Sequence, residues 1–293
     1  MKPNQDEPTL QQLLNSPSVK RRFEELLNQS APSFISSILA IFNANKKLQE
    51  CPARSILSAA GVAAALKLPI NPNLGFAFLV PFKGQATFQL GAKGFVQLAM
   101  RSGQYRTLNA GAVREGQIAD VDFETGEIIR GEKVSDDIVG YIAYMELLNG
   151  FKKSLYMSNE EIHAHAEKYS QSYAYDINNG KKTSVWSKNF DAMATKTVLK
   201  RLLSKYGIIS IDQQDSNLAL ALQADQALIT EDGFRYLDNE QGDGKVVPFG
   251  DVLELPNPDD ETDDDTDDDN SPDDKPDTPD NPDTPDDTED KHD

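Results

Sequence analysis

Beyond Leu255 the chain carries no aromatic and no aliphatic side chain, and that absence sets how much of it can fold. A segment with nothing apolar to bury has no favourable term to set against the entropy of ordering it. From Asp251 to Asp293 there are 21 Asp and Glu against two bases, Lys275 and Lys291, and the near-repeat Pro276-Asp-Thr-Pro-Asp-Asn is followed by Pro282-Asp-Thr-Pro-Asp-Asp. Such low-complexity, self-repelling polypeptide is expected to be a disordered acidic tail, here placed at residues 231–293.

The tail changes the meaning of the overall charge. The net charge of residues 251–293, -19, equals the formal charge of the whole chain, so residues 1–250 hold 27 acids and 27 bases. A neutral body is compatible with a polyanionic ligand, because charge acts within its own domain. The single cysteine, Cys51, has no intramolecular disulfide partner, and the start Met1-Lys-Pro-Asn-Gln-Asp-Glu lacks the apolar core of a signal peptide. Apolar runs such as 34–42 and 56–66 are shorter than the roughly 20 residues that span a bilayer. The expectation is a cytoplasmic protein.

Within the body the hydrophobic period changes along the chain. Residues 1 to about 70 read as helical: Ser16-Pro17 places a cap before a proline, Val19, Phe23, Leu26 and Leu27 follow at helical spacing, and Pro52 to Leu68 is an Ala-rich helix bounded by prolines. Phe76–Val80 and Ala86–Leu90 flank Lys83-Gly84 as a hairpin, Gly94–Met100 is a short helix closed by Gly103, and Tyr105–Val113 is a strand. Two further hairpins centre on Phe123–Ile128 and on Asn149-Gly150. Ser158-Asn-Glu-Glu161 is a capping box for a helix to about Ser170. Residues 171–184 read as a polar, mobile loop, Trp186–Tyr206 as a helix, and 214–228 as a last helix. The fold class expected is α+β, an antiparallel sheet and hairpins packed with helices, divided into an N-terminal helical arm at 1–32, a core at 33–230 and the tail.

Two basic regions interrupt the neutral body. The 64 residues between Glu50 and Glu115 contain no acid and seven bases, Arg54, Lys67, Lys83, Lys93, Arg101, Arg106 and Arg114. Residues 181–206 carry Lys181, Lys182, Lys188, Lys196, Lys200, Arg201 and Lys205 against Asp191 alone. Surfaces usually intersperse both signs, so a run of this length points to phosphate neutralisation. Aromatics are interleaved with it. A single strand offers bases that stack on flat side chains, and among the interleaved rings Tyr105 and Trp186, beside turns and charges, are the stacking candidates, whereas alternating strand residues such as Phe76 and Phe78 suit a core.

Other chemistry finds little support. The spacing of Gly84, Gly91 and Gly94 is not that of a phosphate loop and no Gly-Lys-Ser/Thr follows, so no ATP chemistry is expected. His163 and His165 stand two apart and do not share a helix face, which argues against zinc. No catalytic residue and no cofactor is assigned.

The stretch Asn71-Pro-Asn-Leu-Gly-Phe-Ala-Phe-Leu-Val-Pro-Phe, then Gln89-Leu-Gly-Ala-Lys-Gly-Phe-Val-Gln-Leu-Ala-Met-Arg-Ser-Gly-Gln-Tyr105, closely resembles the RecT family of phage recombination proteins. Trp186-Ser-Lys-Asn-Phe-Asp-Ala-Met-Ala-Thr-Lys-Thr-Val-Leu-Lys-Arg-Leu resembles that family's later motif. The resemblance covers roughly 30–210. It implies annealing of complementary single strands without ATP, assembly into rings or helical filaments, a partner phage exonuclease, a possible host single-strand binding protein, and a bacterial host. The DNA-binding residues expected are Lys67, Lys83, Lys93, Arg101, Tyr105, Arg106, Arg114, Trp186, Lys188, Lys196, Lys200, Arg201 and Lys205. Lys196 and Lys200, four apart, face one backbone, while Arg201 points about 100° away. The alternative is a passive single-strand coating protein; a metal-dependent nuclease is more distant, since the body has no dense carboxylate motif.

Overall fold

Alanine dominates the helix at the centre of the first core, and the N-terminal helices pack around it. In the computed structural model, which describes residues 8–208, 216–230 and 233–236, helix α5 (Ala53–Ala65) has nine of its thirteen residues buried. Small side chains on all faces let neighbours approach on all sides. Helices α1 (Leu10–Asn15), α2 (Pro17–Leu27), α3 (Ala31–Ala44) and α4 (Lys46–Gln49) pack with it. Thr9 and Gln12 make a reciprocal capping box at the start of α1, and Pro17 occupies the first position of α2. Leu10, Leu13, Leu14, Val19 and Phe23 enter the α5 core, so part of the expected arm is built into it.

Strands β1 (Ala77–Phe82) and β2 (Gln85–Leu90) form the first hairpin. Lys83 and Gly84 both have positive φ, 46° and 78°, the conformation that suits the twist of a two-residue turn. Helix α6 (Ala92–Arg101) follows. Its Gly91 and Gly94 answer the question raised by the glycine spacing: a Cβ at Gly91 would lie 2.0 Å from the Gly75 carbonyl oxygen, and one at Gly94 2.3 Å from that of Phe76. These glycines permit contact between the helix and the chain entering β1.

Next come β3 (Tyr105–Arg114), a projecting pair β4 (Ile118–Val121) and β5 (Ile128–Arg130), then β6 (Ile138–Leu147) and β7 (Lys152–Ser158). The main sheet has the antiparallel order β3-β6-β7. Ser158 and Glu161 make both halves of their capping box on α7 (Asn159–Tyr169).

The polar loop expected at 171–184 is instead mostly helix, α8 (Gln171–Asn179), entered through a Ser170 cap and left through Gly180 at φ 60°. Its reason is Asp176, which is 1% exposed and accepts from the backbone N–H groups of Thr183 and Ser184 and the hydroxyls of Thr183 and Ser187. Burial raises the Asp176 carboxyl, but these donors, Ser187 foremost, outweigh it and hold the group well below the usual range. Asn189 then divides the expected Trp186–Tyr206 helix into α9 (Val185–Lys188) and α10 (Phe190–Tyr206).

Two adjacent stripes of α10 serve two cores. Leu199 and Leu203 belong to the α5 core, while Val198 and Leu202 pack under the sheet with Tyr141, Met145 and Trp186. The last helix is shorter than expected: α11 (Ser216–Ala224) ends before β8 (Ala227–Thr230) and β9 (Gly233–Tyr236). Gln226, at φ 72°, turns the chain and its N–H donates to the Phe88 carbonyl at 3.0 Å. Residues 214 and 215 lie outside the described residues, as does the acidic segment from 237 onward with its expected disorder. Among the described residues no helix is long and apolar enough to cross a membrane.

Candidate nucleic-acid interface

A cleft of about 460 Å³ opens between the β1–β2 hairpin and helices α7 to α10, with Asp225 and Gln226 also lining it. Local sequence explains each wall. Strand alternation turns Thr87 and Gln89 of β2 toward the cleft, and the four-residue repeat of α10 brings Lys196, Lys200 and Ser204 to one face.

Two lysines and one acid organise the interior. Lys200 Nζ donates to Asp225 Oδ2 at 2.7 Å, Lys196 Nζ lies 3.7 Å from Oδ1, and the Leu90 N–H donates to that same Oδ1 at 2.8 Å. The Asp225 side chain has no exposed surface, against 12% for Lys196 and 31% for Lys200. Burial works to raise the Asp225 carboxyl, yet Lys196 and then Lys200 bring it below its ordinary value. Lys196 is displaced downward too, first by burial and also by Lys200, with Asp225 opposing. These directions look contradictory for one ion pair. They follow from its stoichiometry: the anion has two cations, while the more buried cation shares one anion with a like charge. Asp225 is therefore held in its ionised form between the two lysines.

His165 faces the cleft from α7. Burial first, then Arg201, Lys200 and Lys168, push it down to about 4, so it is neutral at pH 7, and its enclosed Nδ1 has no hydrogen-bond partner among the described residues. Its ring lies 4.7 Å from that of Tyr169, which is 54% exposed at the cleft with Lys168 Nζ 5.2 Å over its face.

Of the expected binding residues the cleft collects Trp186, Lys196, Lys200 and Arg201. Trp186 is 7% exposed and packs on Tyr173 and Phe190, with ring centroids 5.9 and 5.6 Å away, so its faces are covered in this structure. Arg201 is exposed, with Nη1 3.7 Å from Met157 Sδ.

The others are dispersed. Arg101 donates to the carbonyls of Leu66 and Lys67 at 2.6 and 3.0 Å, closing the end of α5. Arg106 pairs with Glu146 at 3.1 Å and Arg114 with Asp136 at 3.6 Å. Tyr105 is half-buried between both cores, its hydroxyl accepting from the Ile208 N–H. Lys67 borders a different groove. Lys83 lies at the hairpin turn 5.6 Å over Phe82, Lys93 is exposed in the first turn of α6, Lys188 ends α9, and Lys205 sits 5.2 Å over Tyr206.

Sequence reasoning missed Asp225, His165 and Tyr169. The last two stand four apart on a helix that was expected, so a search for aromatic pairs at that spacing would have found them. Asp225 sits 135 residues from Leu90, and no local pattern announces it.

Comparison with known proteins is consistent with this architecture. A family model described as RecT family matches residues 32–238. The uncharacterized protein YqaK of Bacillus subtilis (strain 168) is 43% identical over 215 residues, which is 70% of this chain and 70% of that protein. Protein RecT of Escherichia coli (strain K12) is 28% identical over 247 residues, 78% of this chain and 88% of its own length.

Proposed function

The chain belongs to the RecT family, and on that premise we propose that it anneals complementary single strands of DNA without ATP, holding one backbone along the cleft beside α10. Membership makes it a recombination protein of the phage type that binds single-stranded DNA and forms oligomers. The finer reading, in which strands are paired rather than merely coated, is the proposal.

The observation that carries it is the joining of both resembling segments in one concave basic surface with an exposed aromatic ring at its edge. Lys200 and Arg201 supply cations within reach of solvent, and Tyr169 offers a face on which a base can stack. Both lysines face Asp225, and Lys196, the more enclosed of the two, acts from within. A neutral His165 leaves room for a strand without adding charge that would hold it too tightly. Duplex formation yields about 1.4 kcal/mol per base step, so pairing runs downhill, and the protein's task is to open hairpins and raise the local concentration of strands.

The proposal extends to partners: an exonuclease that exposes single strands, and a host single-strand binding protein that meets them first, in the cytoplasm of a bacterial host. It is tested by mixing complementary oligonucleotides carrying a fluorescence donor and acceptor with the protein, without ATP or metal. Faster duplex formation than in buffer is expected. Slower formation means a coating protein, and shortened strands on adding magnesium mean a nuclease; either overturns the reading.

A further inference from the structure

We propose that Phe123 is the knob of a contact between copies of this chain, seated in the groove that α2, α3 and residues 67–74 leave open on the next copy. The inference goes beyond the annealing reading and rests only on the formation of oligomers.

The β4–β5 hairpin holds an apolar surface in water. Phe123 at its tip is 92% exposed, and Val121 and Ile129 on its strands are 44% and 49% exposed. Scattered apolar residues need no explanation, but an aromatic presented almost whole at the tip of an ordered hairpin is the kind of side chain that anchors a contact with a partner. The tip is also ordered in advance. Asp122 accepts from the N–H groups of Glu124 and Thr125 at 2.9 and 2.8 Å, and Lys153 of β7 donates to the Thr125 carbonyl at 2.9 Å. A knob fixed before association loses little freedom on docking.

The groove offers what the knob lacks. It measures about 480 Å³ and is lined by Leu26, Leu27, Phe34, Leu68 and Ile70, with Leu74 43% exposed at its edge. Charge favours the match. Residues 115–137 contain eight acids and two bases, a net -6, while 17–37 contain three bases and two acids and 67–74 contain Lys67 alone, a net +2. Lys67 borders the groove, where Asp122 and Glu124 would flank an inserted Phe123. Knob and groove belong to different surfaces of one chain, so the contact is head to tail, and repeated it closes a ring or extends a filament.

Two proteins that both keep Phe123, Glu124→Cys and Ser33→Cys, are mixed and oxidised with copper phenanthroline; Glu124 is exposed beside the knob, Ser33 lines the groove, and native Cys51 is only 7% exposed. A disulfide-linked pair that forms in the mixture and not in either protein alone is expected. Separately, Phe123→Ser, a change at an exposed tip, is expected to weaken self-association about tenfold or more in sedimentation velocity. Absence of the mixed disulfide, or undiminished self-association of Phe123→Ser, overturns the proposal. Binding of a short oligothymidylate by Phe123→Ser reports the cleft alone, so a failure of the DNA-binding reading shows there and not in assembly.

Discussion

Lys200 donates to Asp225 at 2.7 Å across 25 residues of chain, at a carboxylate with no exposed surface. Lys196 stands at 3.7 Å from the other oxygen, and exposure, 12% for Lys196 against 31% for Lys200, separates two lysines that look equivalent in sequence. Both line the cleft and both face Asp225, but Lys196 is the more enclosed and Lys200 the more open to a ligand.

Asp225→Asn keeps the shape of the side chain and removes the charge. Two cations are then left facing each other, one of them almost enclosed. Removing one member of a buried ion pair costs about 3 kcal/mol or more, and the urea unfolding midpoint should fall accordingly at unchanged slope. A loss below about 1 kcal/mol would mean that the carboxylate does not organise the floor of the cleft.

Single-strand binding should record the same division in salt. Each phosphate contact contributes about 0.7 to the slope of log affinity against log salt. Arg201→Ala and Lys200→Ala should each flatten the slope by about that amount in fluorescence anisotropy titrations. Lys196→Ala should leave the slope alone and appear instead as lost stability. Equal slopes for all three variants would reject the assignment.

Two glycines give a steric contrast. Gly94→Ala places a Cβ 2.3 Å from the Phe76 carbonyl oxygen and 2.7 Å from Leu90 Cδ1, and such overpacking costs about 1–3 kcal/mol. Gly111, in β3, has nothing within 4 Å of the same atom. Its replacement by alanine should be neutral or stabilise by about 0.5 kcal/mol through the unfolded chain. Thermal unfolding of the pair distinguishes packing from a general intolerance of substitution.

His165 predicts an acid limb. Its pKa is about 4 folded against 6.5 as the reference, so the unfolded chain binds more protons between those values and stability falls as pH drops from 6.5 toward 4. His165→Gln removes this dependence. Between pH 6.5 and 4.5 the wild type should lose about 2 kcal/mol more than the variant in urea titrations. Parallel curves would show that His165 is solvated.

The parts of the fold that were legible are those whose causes are neighbours in sequence. Ser158 and Glu161 cap α7 with groups three residues apart, and Gly150, at φ 89°, turns the β6–β7 hairpin. Helix α8 was hidden although its two ends carry the right residues, Ser170 and Gly180, because its polar composition resembles a loop and its stability comes from Asp176 reaching forward to residues 183–187. The short β8 was hidden too, since its junction with the core is a single turn hydrogen-bonded to Phe88. In the site, charge runs announced the sign of the ligand but not which cations were already engaged. Arg101 is spent on helix carbonyls and Arg106 on Glu146, partners that stand 35 and 40 residues away.

The turn at Asp225 and Gln226 also fixes where this protein can be shortened. A form ending at Tyr206 would keep every base of the cleft and would look, on paper, like a better polyanion receptor. It would have lost the counter-charge of Lys196 and Lys200, the Asp225 carboxylate that accepts from the Leu90 N–H and the Gln226 N–H that donates to the Phe88 carbonyl, and its extra positive charge would signal damage. Grafts that replace the acidic segment should therefore join after Tyr236, so that the carboxylate travels with the half of the molecule it completes.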